Sequence, residues 1–487
     1  MEELSYKGFA KSSILVTSAY ILQSLKGIIF LPFITKILGT YSYGIWVQVG
    51  VIVGLLMPIG TLALTGALTR FLAGEEDKEK IQEGFYSIIF LTLGVSLLLA
   101  LCLWGLSQPV ARAFFDGERL IVILAAFVVP LDCLNTVLLM YFRTFRQMKK
   151  YSIFTVLRAY VELGLLIYVV LAGYGIVELV AAMLVARLGI GLAMFGFILP
   201  EVGFRTPRFS RIKEFLRFSL PIVPVNMSGW VISASDRLLI SYFMGALFVG
   251  YYSPGYSLGT MTAIFLAPIV YALPPYIYNL YEQGKMAQVK SYLSYSLKYY
   301  LMLAIPAAFG LCVLSRTLLL SLSNPDIANN GYFIVFFTVS LSILYAINSL
   351  ITLIIELVRK TKVMGISSII AAAVNFGLNL IFIPWLGIIG AAITTLIAGI
   401  VDLGIRANFA LRYFTFPVDW VSILKSIAAS VIMVLGIWYF NPSGILEIIL
   451  SVIGGAIVYG VIIILSGGVK KSELKFFKGL LPSKNNP

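Results

Sequence analysis

The sequence predicts an all-α polytopic membrane protein of about 14 transmembrane helices, from its composition, its apolar segments and its placement of basic residues. Hydrophobic residues make up 60% of the 487 and charged ones only 12%, against about 25% charged in an ordinary soluble domain. Mean hydropathy is +0.97. Cys102, Cys133 and Cys312 all fall in apolar stretches and read as small buried hydrophobes, not as a disulfide framework. The chain has no histidine, the commonest metal ligand and general base. Its extramembrane segments are short, so neither an enzyme nor a metal or cofactor is expected.

Counted at about 20 residues each, the first spans lie near 12–35, 43–69, 84–107, 119–142, 151–172 and 175–199. Six more follow near 218–243, 248–278, 292–321, 331–357, 363–384 and 386–410, and a last pair near 423–440 and 443–466. The first span holds Lys26 at its middle and lacks a small-residue cleavage site, so it reads as a retained helix.

Alternate connections are basic. Arg143, Arg146, Lys149 and Lys150 follow the fourth span, Arg205, Arg208, Arg211, Lys213 and Arg217 the sixth, and Arg359, Lys360 and Lys362 the tenth. Lys470, Lys471, Lys475, Lys478 and Lys484 mark the tail. The connections between carry almost none, which places both termini in the cytoplasm of a plasma-membrane protein. The formal charge of +14, from 36 basic and 22 acidic residues, follows this one-sided distribution, so nucleic acid is not expected as a partner.

The first helix pair of each half carries one motif. Gly39-Thr40-Tyr41-Ser42-Tyr43-Gly44 joins spans one and two, and Gly245-Ala246-Leu247-Phe248-Val249-Gly250 joins spans seven and eight; a proline follows in each second helix, Pro58 and Pro268. With six spans on each side of a basic linker, this predicts two six-helix lobes as parallel repeats. The expected divisions are 1–200, a linker at 201–217, 218–413, additional helices at 414–467 and a basic cytoplasmic tail at 468–487.

Lys26, Asp132, Arg158, Glu162, Arg187, Asp236, Arg237 and Asp402 lie inside apolar spans. A charge there costs about 2.5 to 3.5 kcal/mol even on lenient scales, so it faces a bundle interior, a partner or a water-filled path. Arg158 with Glu162, and Asp402 with Arg406, stand one turn apart and are expected to pair along their own helices. Lys26, Asp132, Arg187, Asp236 and Arg237 need partners elsewhere: another helix, as in pairing of Lys26 with Asp132 or Asp236 for packing alone, or a substrate. Asn226, Trp230, Ser233, Arg237 and Ser241 form one stripe at helical spacing, expected to face inward.

The run Asn375-Phe376-Gly377-Leu378-Asn379-Leu380-Ile381-Phe382-Ile383-Pro384-Trp385-Leu386-Gly387-Ile388-Ile389-Gly390-Ala391-Ala392 resembles the junction of the eleventh and twelfth helices in Wzx-type polysaccharide flippases. These share a superfamily with multidrug extruders and the lipid II flippase. Phe218 to Pro224, Asp236 to Ile240 and Gly250 to Ser253 are similar to the seventh and eighth helices of the same proteins. The resemblance implies a two-lobed, alternating-access carrier that moves a lipid-linked oligosaccharide from the cytoplasmic to the outer leaflet for cell-surface polysaccharide biosynthesis. On that reading Lys26, Arg237 and Arg187 hold an anionic phosphate by charge-assisted hydrogen bonds, and Asn375 and Asn379 meet the sugar. Asp236, Asp132 and Glu162 serve as counter-charges or as proton or sodium sites coupling transport to a gradient. Partners would be the lipid-linked anionic glycan, membrane lipid and glycan-assembly proteins, with the carrier a monomer. The alternatives are a cation-coupled multidrug antiporter, a lipid II flippase and, more distantly, a membrane glycan polymerase. The last is disfavoured because the longest outer connections, near Gln108–Glu118 and Ser323–Gly331, hold about ten residues, too few for a catalytic domain of the usual size.

Overall fold

The computed structural model describes residues 6–266, 269–270 and 273–468. Pro268 and the tail lysines lie outside the described residues, which form helices and turns and no strand. The first half holds α1 (Tyr6–Phe33), α2 (Gly39–Gly60), α3 (Leu64–Leu72), α4 (Lys78–Gly105), α5 (Ser107–Phe114), α6 (Arg119–Thr144), α7 (Met148–Leu171) and α8 (Ile176–Val202). After α9 (Ile212–Ser219) come α10 (Val223–Met244), α11 (Ala246–Thr260), α12 (Leu273–Glu282), α13 (Met286–Leu322), α14 (Pro325–Gly331), α15 (Ile334–Leu357), α16 (Lys362–Leu386), α17 (Ile388–Ala410), α18 (Trp420–Phe440) and α19 (Ile445–Leu465).

Twelve helical runs among the described residues are long and apolar enough to cross a membrane, fewer than the 14 expected. Leu15–Gly60 counts as one run of 46 residues because a π-helical turn, Ile34–Leu38, carries α1 into α2. The stretch expected as the eighth span is divided: α11 ends at Thr260 and a 3-10 turn follows over Met261–Leu266. The second expected span is also interrupted, with Leu62 and Ala63 at φ 48° and 52° between α2 and α3. Such values are strained for residues with a Cβ.

The described chain divides into two compact units. The first runs to Pro254 and includes Leu322–Gly331 and Met364–Asp402; the second comprises Gly255–Ser321, Tyr332–Val363 and the chain from Leu403 onward.

In the first unit the paired glycine motifs meet. Gly39 and Gly245 take nearly the same backbone conformation, φ 86° with ψ 175° and φ 91° with ψ 166°, which favours glycine. A Cβ on Gly44 would fall 1.9 Å from the Ala246 carbonyl oxygen, and one on Gly250 would fall 2.3 Å from that of Thr40. The contact is therefore reciprocal: each motif's second glycine receives the residue after the other motif's first. The linker is anchored in the same unit. Tyr86 donates to the Gly203 carbonyl at 2.7 Å, Arg205 and Arg211 pair with Glu79 and Glu75 at 3.0 and 3.7 Å, and the Ser210 amide donates to Glu83 at 2.9 Å. The acidic start of α4 thus neutralises part of a segment that looks only basic in sequence.

In the second unit α18 and α19 dock on α13. Lys298, buried on α13, pairs with Asp419 at the N-cap of α18 at 3.0 Å, and Tyr459 on α19 donates to the Met302 carbonyl at 2.6 Å. Trp420 and Tyr439, 67% and 89% exposed, mark opposite ends of α18, whose 21 residues span about 31 Å at 1.5 Å per residue. That matches a hydrocarbon core of about 30 Å with an aromatic at each interface.

Two outcomes follow. Gly44→Val and Gly250→Val should each lower the apparent melting temperature in detergent by several degrees, an overpacking cost of about 1 to 3 kcal/mol. Gly50→Ala, whose Cβ meets nothing within 4 Å, should not lower it. Asp419→Asn should destabilise the protein by about 1 to 3 kcal/mol, the cost of leaving a buried donor without its full partner. Burial raises the Asp419 pKa, but hydrogen bonds from Ser422 and Lys298 outweigh it and bring the carboxyl down to about 2. Its contribution should be complete above the ordinary value of 3.8 and disappear only as pH falls through about 2, so melting curves of the wild type and Asp419→Asn should differ by a constant amount between about pH 5 and 8.

Candidate functional site

Four helices of the first unit bring five of the intramembrane charges together. Lys26 on α1 meets Glu162 on α7, Nζ to Oε1, at 2.8 Å. Arg158, one turn earlier on α7, reaches across to Asp132 on α6, Nη2 to Oδ1, at 2.9 Å. Arg187 on α8 sits between the carboxylates, with Nη1 on Asp132 Oδ2 and Nη2 at 3.6 Å from Glu162 Oε1. The result is an alternating chain: Arg158, Asp132, Arg187, Glu162, Lys26.

This arrangement corrects the expected pairing of Arg158 with Glu162. The two carboxylates are buried between helices, and each oxygen of Asp132 takes a different guanidinium, a geometry an i, i+4 pair cannot match. The ion-pair partner of Lys26 is Glu162, and neither Asp132 nor Asp236, among the described residues. Asn135 on α6 donates to the Arg187 carbonyl at 2.9 Å. Arg187 Nε is buried without a hydrogen-bond partner.

The chain holds three cations and two carboxylates, and exposure is graded along it. The side chains of Arg158 and Lys26, at the ends, are 23% and 22% exposed, Arg187 in the middle 14%, and the carboxylates 4% each. The negative groups form the floor, the cations the accessible side, and one positive charge is left over. Such a site suits an anion, which would take up donors now shared with the carboxylates.

The second group of expected residues lies on α10, α11, α16 and α17. Asp236 is fully buried; its Oδ2 accepts from Tyr252 at 2.5 Å and its Oδ1 from the Arg237 amide at 2.8 Å. Arg237 donates to the Ser233 carbonyl at 2.6 Å, lies 3.3 Å from Asp236 Oδ1, and stands 5.6 Å from the centre of the Tyr252 ring. It is a buried, tethered cation, unlike Lys26. Ser235 donates to Asn375, Asn379 donates to Asn375 at 3.1 Å, Asn375 donates to Thr395, and Thr394 donates to Asn379. Both asparagines are fully buried, and here their amides join α10, α16 and α17. The α10 stripe is likewise divided: Asn226 and Ser233 are exposed, whereas Arg237 and Ser241 are buried. Asp402 is buried, and its helix-mate Arg406 donates to Thr352 at 2.8 Å.

Sequence reasoning missed Arg158 as a member of the charge chain, because pairing along one helix accounted for it. It also missed Tyr252, whose hydroxyl holds Asp236 from sixteen residues away, and the Lys298–Asp419 pair. For the last a signal existed: Asp419 precedes an apolar run with Ser422 three residues on, an N-terminal cap pattern.

The chain covers 60% of the length of one curated relative, a probable low-salt glycan biosynthesis flippase, Agl15, of Haloferax volcanii, at 21% identity over 57% of this chain. A second relative from that organism, the probable flippase AglR, is 25% identical over 93% of this chain and 95% of its own. Among solved structures, the lipid II flippase MurJ in an inward closed conformation is similar with a TM-score of 0.74 and 17% identity, covering 93% of this chain and 98% of that one. An inward-facing multidrug transporter of the MATE family gives 0.63 and 15%, over 82% and 94%. At these identities the structures establish the fold, a multi-pass arrangement shared by flippases and multidrug transporters. The family model described as polysaccharide biosynthesis protein matches residues 9–281, more than half of the sequence, and the chain belongs to that family.

Proposed function

We propose that this protein flips a lipid-linked, phosphate-bearing oligosaccharide from the cytoplasmic to the outer leaflet of the plasma membrane by alternating access, as a step in cell-surface polysaccharide biosynthesis. The observation that carries the reading is the alternating charge chain of the first unit, with its surplus cation and its accessible cationic ends. Membership of the polysaccharide biosynthesis family and two flippase-named relatives support it. The phosphate of such a lipid would engage Lys26, Arg158 and Arg187, while Asp132 and Glu162 hold those cations in place when no substrate is bound. Arg237, tethered to Asp236 and Ser233, is a secondary candidate. A cationic drug as substrate fits poorly, since Asp132 and Glu162 already face cations.

The proposed topology has fourteen spans, because a 46-residue run would extend about 69 Å at 1.5 Å per residue, twice the hydrocarbon thickness. Gly39 supplies a turn between two spans, and α11 with α12 makes a broken span. Residues 1–200 and 218–413 are then the two six-helix halves, 201–217 the linker, 414–467 an added pair and 468–487 the tail, with both termini cytoplasmic. Coupling to a proton or sodium gradient would involve Asp236, whose buried carboxylate lies beside Tyr252 and next to the hydrogen-bonded Ser235, Asn375 and Asn379.

Reconstitution with a fluorescent lipid-linked sugar, following its accessibility from outside, tests this. Lys26→Ala, Arg158→Ala and Arg187→Ala should each reduce flipping by about tenfold or more at equal protein level, the order expected for losing a charge-assisted contact. Undiminished flipping in all three would remove the chain from the mechanism. Asp236→Asn should blunt the response to imposed proton or sodium gradients, and an unchanged response would exclude Asp236 from coupling.

A further inference from the structure

At the helix ends opposite the basic connections, the glycine motifs are surrounded by a second reciprocal set of contacts. The connection between α4 and α6, in the first half, carries Asp116. Its Oδ2 accepts from the Ala246 amide at 3.2 Å, in the second half's motif, and a Cβ on Gly245 would stand 3.5 Å from its Oδ1. The corresponding connection of the second half, between α13 and α15, carries Asn324. Its Nδ2 donates to the carbonyl of Thr35, in the turn that precedes the first half's motif, and to Oγ1 of Thr40 within that motif, each at 3.0 Å. Each half therefore sends the polar residue of its third connection to cap the other half's first hairpin.

One further contact reinforces the crossing: Ser241 donates to the Phe114 carbonyl at 2.8 Å. Within the second half, a Cβ on Gly331 would fall 2.2 Å from the Tyr251 carbonyl oxygen, so the connection that carries Asn324 packs closely on α11. All these residues belong to the first unit, including 322–331, a segment whose flanking helices α13 and α15 lie mostly in the second. Helix packing alone does not call for this exchange. It joins backbone to backbone and to short polar side chains, so few contacts must break together for the motifs to part.

We propose that these crosswise caps are a latch that holds the outer end of the transporter closed, Asp116 with Ala246 and Asn324 with Thr35 and Thr40, and that the latch releases as the carrier turns outward. The outward sense and the flipping readout rest on the proposed function; the latch itself does not. Both caps must be lost for opening, because either one alone keeps Gly44 against Ala246 or Gly250 against Thr40. The caps run from a carboxylate and an amide to neutral backbone and hydroxyl groups, so the latch depends on hydrogen-bond geometry and little on ionic strength.

The test uses the full chain in oriented membranes, with Ser233→Cys as reporter on the exposed side of α10, about 18 Å along that helix from Gly245 at 1.5 Å per residue. With Cys102, Cys133 and Cys312 replaced by alanine, a membrane-impermeant maleimide added from the outside should label it slowly while both caps are intact. Combining Asp116→Ala with Asn324→Ala should raise the rate by about tenfold, as expected for a population shift worth one or two hydrogen bonds. Oxidative cross-linking of Thr40→Cys with Asn324→Cys should abolish both the labelling and the flipping of lipid-linked sugar, and reductant should restore them. Unchanged labelling in the double-alanine variant at native melting temperature, or continued flipping by fully cross-linked protein, would overturn the latch. If labelling responds as expected but the native protein flips no lipid-linked glycan, the latch stands and the proposed substrate falls.

Discussion

A membrane interior offers no water to a charged group, and much of this structure is arranged around that constraint. Lys26, Arg158 and Arg187 cannot rest in an apolar bundle unless carboxylates come to meet them, and Asp132 and Glu162 each do so from a helix different from those of their partners. The pairing ties α1, α6, α7 and α8 by their side chains at one level, so the site and the bundle around it are one object. A ligand that draws a cation away from its carboxylate changes how these helices are held, and that makes the chain suited to a carrier that must move when it binds.

The second constraint is backbone proximity. Where lipid tails are as apolar as the side chains they replace, helices gain little from burying leucine and more from close van der Waals contact and hydrogen bonds. The approaches of Gly44 to Ala246 and Gly250 to Thr40 are of this kind, as is that of Gly331 to Tyr251. They place firm contact at one end of α2, α10 and α11. Further along, the Gly54 backbone approaches only the Trp230 side chain, with a would-be Cβ 3.1 Å from its ring nitrogen. An assembly held by backbone at one end and by movable side chains elsewhere has a built-in place to hinge.

Much of the architecture was legible in the sequence, because hydropathy and basic connections are properties of the chain itself. The span limits lie within a few residues of most helices: 119–142 against Arg119–Thr144, 386–410 against Ile388–Ala410. The breaks were not legible. Leu62 and Ala63 adopt positive φ without glycine, and the π turn at Ile34–Leu38 has no local composition that marks it. At the site, the sequence identified which residues were costly but not which were partners. Helical spacing paired Arg158 with Glu162, whereas the tertiary fold gave each a partner on another helix, and spacing along one chain carries no information on that choice. Asn375 and Asn379 stand in the most distinctive motif of the chain, and the sequence did not show that their amides join helices.

The central claim is that the charge chain engages an anionic substrate and is not only a packing device. Lys26→Met combined with Glu162→Gln removes one pair as a unit, so that neither an orphan cation nor an orphan carboxylate remains at those positions. Measured beside the two single variants, melting temperature and flipping of a lipid-linked sugar separate the two roles. The account predicts that the double variant recovers the stability lost in the singles while flipping stays depressed. Recovery of flipping together with stability would contradict it.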